Sequence, residues 1–181
     1  MRYFILTCLL FAFSSVYSQS KKTSEDFYVT EEGEKVMMYG DIEMSAQYLL
    51  YDNEKGRQQQ FPQKKVKVMV AKNRLFVNMP ITKNMERLHE VIAFSDKYIL
   101  TLYFGESVYY VFDRNENMIE GRINFYGNKK KCMETFNAKI AKYFTECKEL
   151  LEEMRKNINA DKIISETVTY YQCGEKDYFG K

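Results

Sequence analysis

The sequence predicts an α+β domain in which a largely antiparallel β-sheet, or an open barrel, of about seven to nine strands is followed by a long amphipathic helix and a shorter helix. Two patterns carry this prediction. Between residues 27 and 123, short β-prone runs alternate with turns that are too short for parallel crossovers. From Lys129 to Ile158, apolar residues recur at steps of three and four, which is the pattern of one helical face.

The predicted strands begin with 27–30 and 35–39, joined by an acidic turn in which Gly33 supplies the special backbone angle. The strongest strand signal is 65–70, where valines alternate with lysines and are expected to face the core. A turn at 71–74 leads into a strand that Pro80 is expected to end. The remaining predicted strands are 47–51, 57–61, 75–79, 88–94, 98–104, 108–112 and 118–123.

The long helix is predicted to begin after Asn128, a residue type that caps helices. Thr145-Glu146 is a place where the helix can break, but continuous periodicity favours a bend. Asn159 is expected to cap the shorter last helix, which carries Tyr171 on its apolar face. The apolar stripe of the long helix consists of Met133, Phe136, Ile140, Tyr143, Cys147, Leu150, Met154 and Ile158.

The N-terminal residues have the pattern of an export signal. Arg2 precedes an apolar run that is too short to span a bilayer, and a small-residue cleavage site follows at residues 16–18. We therefore predict a signal peptide at 1–18, a disordered lead-in at 19–26, and a single domain at 27–173. Within that domain, 27–126 is expected to be β-rich and 129–173 helical, and 174–181 is expected to form a flexible tail.

Three cysteines remain after removal of the signal peptide, so an exported protein is expected to form one disulfide and keep one further thiol. If the chain turns near Asn159, Cys147 and Cys173 lie at similar distances from the turn on two helices and face each other. Cys132 lies too far along a straight helix to reach either. We predict a disulfide between Cys147 and Cys173, with Cys132 free or intermolecular.

Charge is laid out in two blocks. Residues 25–54 carry nine acids against one base, whereas residues 55–85 carry eight bases and no acid. One interpretation places acidic and basic hairpins side by side, where opposite charges stabilise strand pairing. The other is an exposed cationic face that contacts an anionic lipid or polysaccharide of the cell envelope. The residues of that face are Lys64, Lys65, Lys67, Lys72 and Arg74.

No catalytic set stands out in the sequence. His89 is the only histidine, and we expect it to be partly exposed on a strand. Its alternative role is a general base oriented by a carboxylate, but the sequence nominates no nucleophile for it. The cysteines lack the spacing of a zinc site, and neither a phosphate-binding glycine loop nor a serine nucleophile elbow is present. We expect no enzymatic activity, cofactor or metal.

Five groups of residues are distinctive in this chain: 27–30 with 33–36, 73–81, 88–100, 143–147 and 170–173. In these stretches the chain resembles a group of uncharacterised small exported proteins of Bacteroidetes-type bacteria. The similarity runs from Phe27 to Cys173. It implies export and a single domain, and it assigns no activity.

The leading functional hypothesis is a non-enzymatic envelope or secreted interaction module, whose partner is a protein or an anionic envelope component. Export argues against nucleic acid as the partner, and the mature chain has no predicted transmembrane segment. The alternative is a carrier of a hydrophobic small molecule in a cupped sheet or barrel, suggested by the many aromatic residues of the strands.

Overall fold

The computed structural model of the chain describes residues 25–45, 47–82, 85–103, 107–158 and 170–175. The predicted signal peptide at 1–18 lies outside these residues, as does most of the lead-in at 19–26. The predicted last helix falls largely on 159–169, which are also outside them, and so does the tail from residue 176 onward.

The described residues form twelve strands in two sheets, and all of their pairings except one are antiparallel. In chain order the strands are β1 (Phe27–Thr30), β2 (Lys35–Met37), β3 (Tyr39–Met44), β4 (Tyr48–Asp52), β5 (Gln58–Pro62), β6 (Val66–Ala71), β7 (Arg74–Thr82), β8 (Met85–Phe94), β9 (Tyr98–Tyr103), β10 (Val108–Asp113), β11 (Met118–Ile123) and β12 (Tyr171–Gln172). The predicted antiparallel sheet is therefore confirmed.

The large sheet has the strand order β11-β10-β9-β8-β7-β6-β1-β2, and β12 pairs with β8. Strands β6 to β11 follow one another as a meander, because each strand pairs with the next one in the antiparallel sense. Between β6 and β7 the turn consists of Lys72 and Asn73, which both have positive φ angles, of 51° and 61°. Two such residues give the twist that suits a hairpin. The N–H of Lys72 also donates a hydrogen bond to the Asp26 carboxylate at 2.9 Å.

Strands β3, β4 and β5 form a separate three-stranded sheet, and the predicted strand 35–39 divides between β2 and β3. One face of this small sheet packs on the large sheet. Leu49 and Tyr51 of β4 belong to the same buried cluster as Tyr28 and Met69 of the large sheet. The hydroxyl oxygens of Tyr28 and Tyr51 lie 3.1 Å apart inside that cluster, so the interface is both apolar and hydrogen-bonded.

The prediction of one long helix is wrong. Helix α1 (Lys129–Lys139) is followed by a 3₁₀ turn (Ala141–Tyr143) and then by helix α2 (Lys148–Lys156). Ile140 and Phe144 at the break have φ angles of −123° and −125°, outside the helical range. A 3₁₀ turn also returns to the same side every three residues. The apolar stripe therefore continues through a break that its periodicity does not reveal.

The C-terminal segment is a strand where the sequence predicts a helix, so the helical assignment of residues 170–173 is wrong. Strand β12 pairs in parallel with Ala93 and Phe94 of β8, and the N–H of Cys173 donates to the Phe94 carbonyl at 2.8 Å. Strand β7 pairs with β8 only as far as Glu90. The end of β8 therefore has backbone groups that need partners, and β12 supplies them.

The two helices cover one face of β8, β9 and β10. Phe136, Ile140, Phe144, Leu150 and Met154 are completely buried against this face. Burial of large apolar side chains contributes about 1.5–3 kcal/mol each by transfer from water. The apolar stripe predicted from the sequence is thus the contact surface of the helical layer, although it is divided between two helices.

The opposite face of the large sheet is buried by its own strands. Its side chains come from β6 to β10 and are at most 8% exposed. A flat sheet would leave such a face open to water, so the sheet curls and packs these side chains against one another. The set consists of Val68, Leu75, Val77, Met79, Val91, Phe94, Ile99, Val108, Tyr110 and Phe112.

Candidate functional site

A cleft of about 990 Å³ lies where the β7–β8 hairpin approaches the turn between β10 and β11. The curl of the sheet brings the paired ends of β7 and β8 close to the β10–β11 turn, although β9 separates these strands in the sheet order. We call this cleft the hairpin cleft. Its lining residues are Glu31, Lys64, Lys65, Pro80, Ile81, Thr82, Met85, Glu86, Arg87, Glu116, Asn117 and Met118.

The arm that forms the floor of the cleft is two-stranded. The pairing of β7 with β6 ends where Val77 faces Val68, whereas β7 continues beside β8 to Thr82. Pro80 therefore interrupts no pairing with β6 and does not end the strand, contrary to the sequence prediction. The Asn78 amide donates to the Lys64 carbonyl at 3.1 Å and fixes the turn before β6 against this arm.

The cleft combines charge of both signs with exposed apolar side chains. Met85 and Met118 are 41% and 38% exposed. Within the described part of the chain, none of the charged lining residues forms an ion pair. The three basic residues are Lys64, Lys65 and Arg87, and the three acidic residues are Glu31, Glu86 and Glu116.

The acidic turn between β1 and β2 lies beside the basic turn before β6. The Glu31 N–H donates to the Lys65 carbonyl at 3.1 Å. The pKa of the Glu32 carboxyl is lowered, chiefly by its own backbone N–H and by the Thr30 hydroxyl, and to a smaller extent by the charge of Lys65. This arrangement agrees with the interpretation that acidic and basic hairpins are neighbours.

The structure does not bring the five predicted surface cations together. Lys64 and Lys65 line the hairpin cleft, whereas Lys72 occupies the β6–β7 turn at the opposite end of β6. At about 3.3 Å per residue the two groups are roughly 20 Å apart along the strand. Lys67 is exposed on β6 between them. The four lysines are thus spread over β6 and the turns at its two ends.

Arg74 is not an exposed cation, so its place in the predicted cationic face is corrected. Its guanidinium forms an ion pair with Glu90, and the side chains of the two residues are 20% and 0% exposed, respectively. The neighbouring Tyr109 has a raised pKa, caused first by burial and then by the charge of Glu90. The pair is thus mostly shielded from solvent.

His89 is completely buried, so the expected partial exposure is wrong. Its Nδ1 lies 2.9 Å from the Thr101 hydroxyl, and the rings of Tyr103, Tyr110 and Phe112 surround it at centroid distances of 5.0–5.9 Å. Burial lowers the pKa of His89 to about 4. Among the described residues its Nε2 has no hydrogen-bond partner and its ring contacts no carboxylate. This geometry does not support the general-base alternative.

The cysteines pair as predicted. Cys147 and Cys173 form a disulfide with a Cα–Cα distance of 4.8 Å, and Cys132 is a buried free thiol. The two cysteines do not lie on two facing helices, contrary to the sequence prediction, because Cys173 follows strand β12. The disulfide joins the start of α2 to the segment that extends the edge of β8.

The aromatic residues of the meander belong to the core. Tyr110 and Phe112 stack at 6.1 Å, and both are at most 1% exposed. The lining of the hairpin cleft contains no aromatic residue. The aromatic side chains that suggested a hydrophobic carrier therefore pack against one another inside the curled sheet.

The described ranges contain neither a candidate metal site nor a helix that could span a membrane. There, His, Cys, Asp and Glu side chains form no group of three or more that would hold a metal ion. Within the same ranges, every helix is too short or too polar to cross a membrane.

The sequence pattern identifies only part of the hairpin cleft. Lys64 and Lys65 are among the predicted contact residues, but Glu31, Arg87 and Met118 are distant in sequence and meet only because the sheet curls. Comparison of the chain with protein-family models, with curated proteins and with solved structures gave no match.

Proposed function

We propose that this protein is an exported, non-enzymatic interaction module that binds its partner through the hairpin cleft. The observation that carries the proposal is the convergence of six charged residues from four chain segments on the exposed side chains of Met85 and Met118. Exposed apolar groups surrounded by charge are typical of protein surfaces that bind other molecules.

Export belongs to the same proposal. Residues 1–18 have the pattern of a signal peptide, and the Cys147–Cys173 disulfide suits an oxidising compartment. The resemblance to small exported Bacteroidetes-type proteins supports the same destination. The contact surface is then available to other envelope or secreted components.

Site-specific photo-crosslinking in the exporting cell tests this proposal. A photoreactive amino acid replaces Met118 in the cleft or, as a control, Gln60, which is exposed on the small sheet. We expect a discrete adduct from position 118 alone, and we expect Lys64→Glu combined with Lys65→Glu to diminish it. Equal adducts from both positions, or none from position 118, would contradict the proposal.

A further inference from the structure

We infer that the partner of the hairpin cleft is an extended polypeptide segment in which an acidic and a basic side chain flank an apolar one. This inference rests on the proposed function and names the class of partner that the same cleft accepts. Its support comes from the charges of the cleft, its apolar floor and the strand edge that borders it.

The charges of the cleft disfavour a partner of one sign. Lys64 and Lys65 come from the turn before β6, Arg87 from β8, and Glu116 from the β10–β11 turn. A polyanion that reached the lysines would also meet the three lining carboxylates, and a polycation would meet the three bases. A polypeptide segment brings both signs in a single chain, so it can complement both sides.

The apolar part of the lining suits an aliphatic side chain. Ile81, Met85 and Met118 contribute it, and the two methionines are unbranched and free to adjust their shape. The polar residues around them exclude a long hydrocarbon chain, because such a chain would desolvate charges that it cannot pair. The cleft therefore fits one apolar residue between charged neighbours.

The edge of β7 favours an extended conformation for the partner. Pro80, Ile81 and Thr82 line the cleft and lie beyond the last pairing of β7 with β6. This edge has no strand partner among the described residues. An extended segment can add to such an edge through main-chain hydrogen bonds. Pro80 lacks an N–H, so an added strand can form fewer main-chain hydrogen bonds with β7. This disfavours nonspecific pairing of the edge with other strands.

Peptide binding to the full mature chain tests the inference by fluorescence anisotropy. Three labelled peptide pools of equal length carry an apolar position flanked by one acid and one base, by two acids, or by two bases. We expect the mixed pool to bind roughly tenfold more tightly than either of the others. Lys64→Glu with Lys65→Glu should reduce that binding by about the same factor, whereas Lys72→Glu, in the β6–β7 turn, should leave it unchanged.

Other outcomes overturn the inference and separate it from the proposed function. If the acidic pool binds best and Glu116→Lys strengthens it, the cleft is a polyanion site. If no pool binds while position 118 still gives its specific adduct in cells, the partner is not an extended segment of this kind, and the interaction module stands. If no peptide pool binds and position 118 gives no adduct, the inference and the proposed function are both wrong. Circular dichroism of each variant shows whether its fold is retained.

Discussion

At the scale of single residues, a buried imidazole makes this fold sensitive to acid. His89 has a pKa lowered to about 4 by burial, against 6.5 for the exposed side chain. Between these two pH values the unfolded chain binds a proton that the folded chain does not. The contribution of His89 to stability is therefore complete above pH 6.5 and is lost as the pH drops towards 4.

We predict that this residue alone lowers the free energy of unfolding by about 1.4 kcal/mol per pH unit in that window, or about 3 kcal/mol in all. Urea denaturation at several pH values measures the slope. His89→Gln removes the titrating group while keeping a polar partner for Thr101, so its slope should be smaller by this amount. An identical slope in both proteins would show that other groups cause the pH dependence.

The ion pair between Arg74 and Glu90 gives a second prediction at this scale. Arg74→Met leaves the completely buried Glu90 carboxylate without its cation, so we expect a loss of about 3 kcal/mol of stability. The double variant Arg74→Met with Glu90→Leu removes both charges and should recover most of that loss. Chemical denaturation of the single and double variants provides the comparison. A single variant as stable as the native protein would mean that the pair is not a buried charge pair.

At the scale of elements, the disulfide joins two segments that are 26 residues apart in the sequence. It connects the start of α2 with the end of β12, a strand of only two residues. Gly174 follows at a point where any Cβ would lie 2.9 Å from the Asp96 backbone nitrogen. The chain therefore passes close to the β8–β9 turn, and only glycine fits there.

Replacing Cys147 and Cys173 together by Ser should lower the free energy of unfolding by about 3 kcal/mol, because the unfolded chain regains the freedom of a 26-residue separation. Amide exchange at Cys173 should accelerate more than exchange in the meander. Cys132→Ser is the matched control, since Cys132 is buried but forms no disulfide. A double variant with unchanged stability would argue that β12 remains docked without the bond.

The helices and strands also show which structural features can be predicted from local sequence patterns. The Asn128 side chain caps α1, accepting a hydrogen bond from the Lys131 N–H at 3.0 Å, and Lys72-Asn73 forms the predicted turn. These are local features, set by neighbouring residues. The two helices are separated by residues 140–147, which include Thr145-Glu146, the place where the sequence allows a break. The stripe nevertheless favours a continuous helix, because the 3₁₀ turn preserves it. The division into two sheets, the pairing of β12 and the hairpin cleft depend on contacts between distant segments, which local patterns do not encode.

At the scale of the whole molecule, the large sheet has one face covered by helices and the small sheet, and the other filled by its own side chains. The charged hairpin cleft, by contrast, is open to solvent. In the described residues, the apolar faces of the large sheet are therefore packed by the protein's own side chains.

Native mass spectrometry of the exported protein, isolated without reductant, examines this arrangement. We expect a chain that begins at Gln19, is lighter by two hydrogen atoms for one disulfide, and carries no apolar small molecule. Measurement after reduction provides the reference mass. A stoichiometric hydrophobic adduct would instead favour the carrier hypothesis and require an internal space that the packed aromatic side chains do not leave.

The covalent link at Cys173 also decides how the molecule bears mechanical load. Tension applied to the chain beyond this residue reaches the disulfide before it reaches the β12 pairing, and the bond passes it to Cys147 at the start of α2. The force is then shared by a helix with completely buried Leu150 and Met154 instead of opening a two-residue strand from its end. Under oxidising conditions, a pull from this side loads the core first.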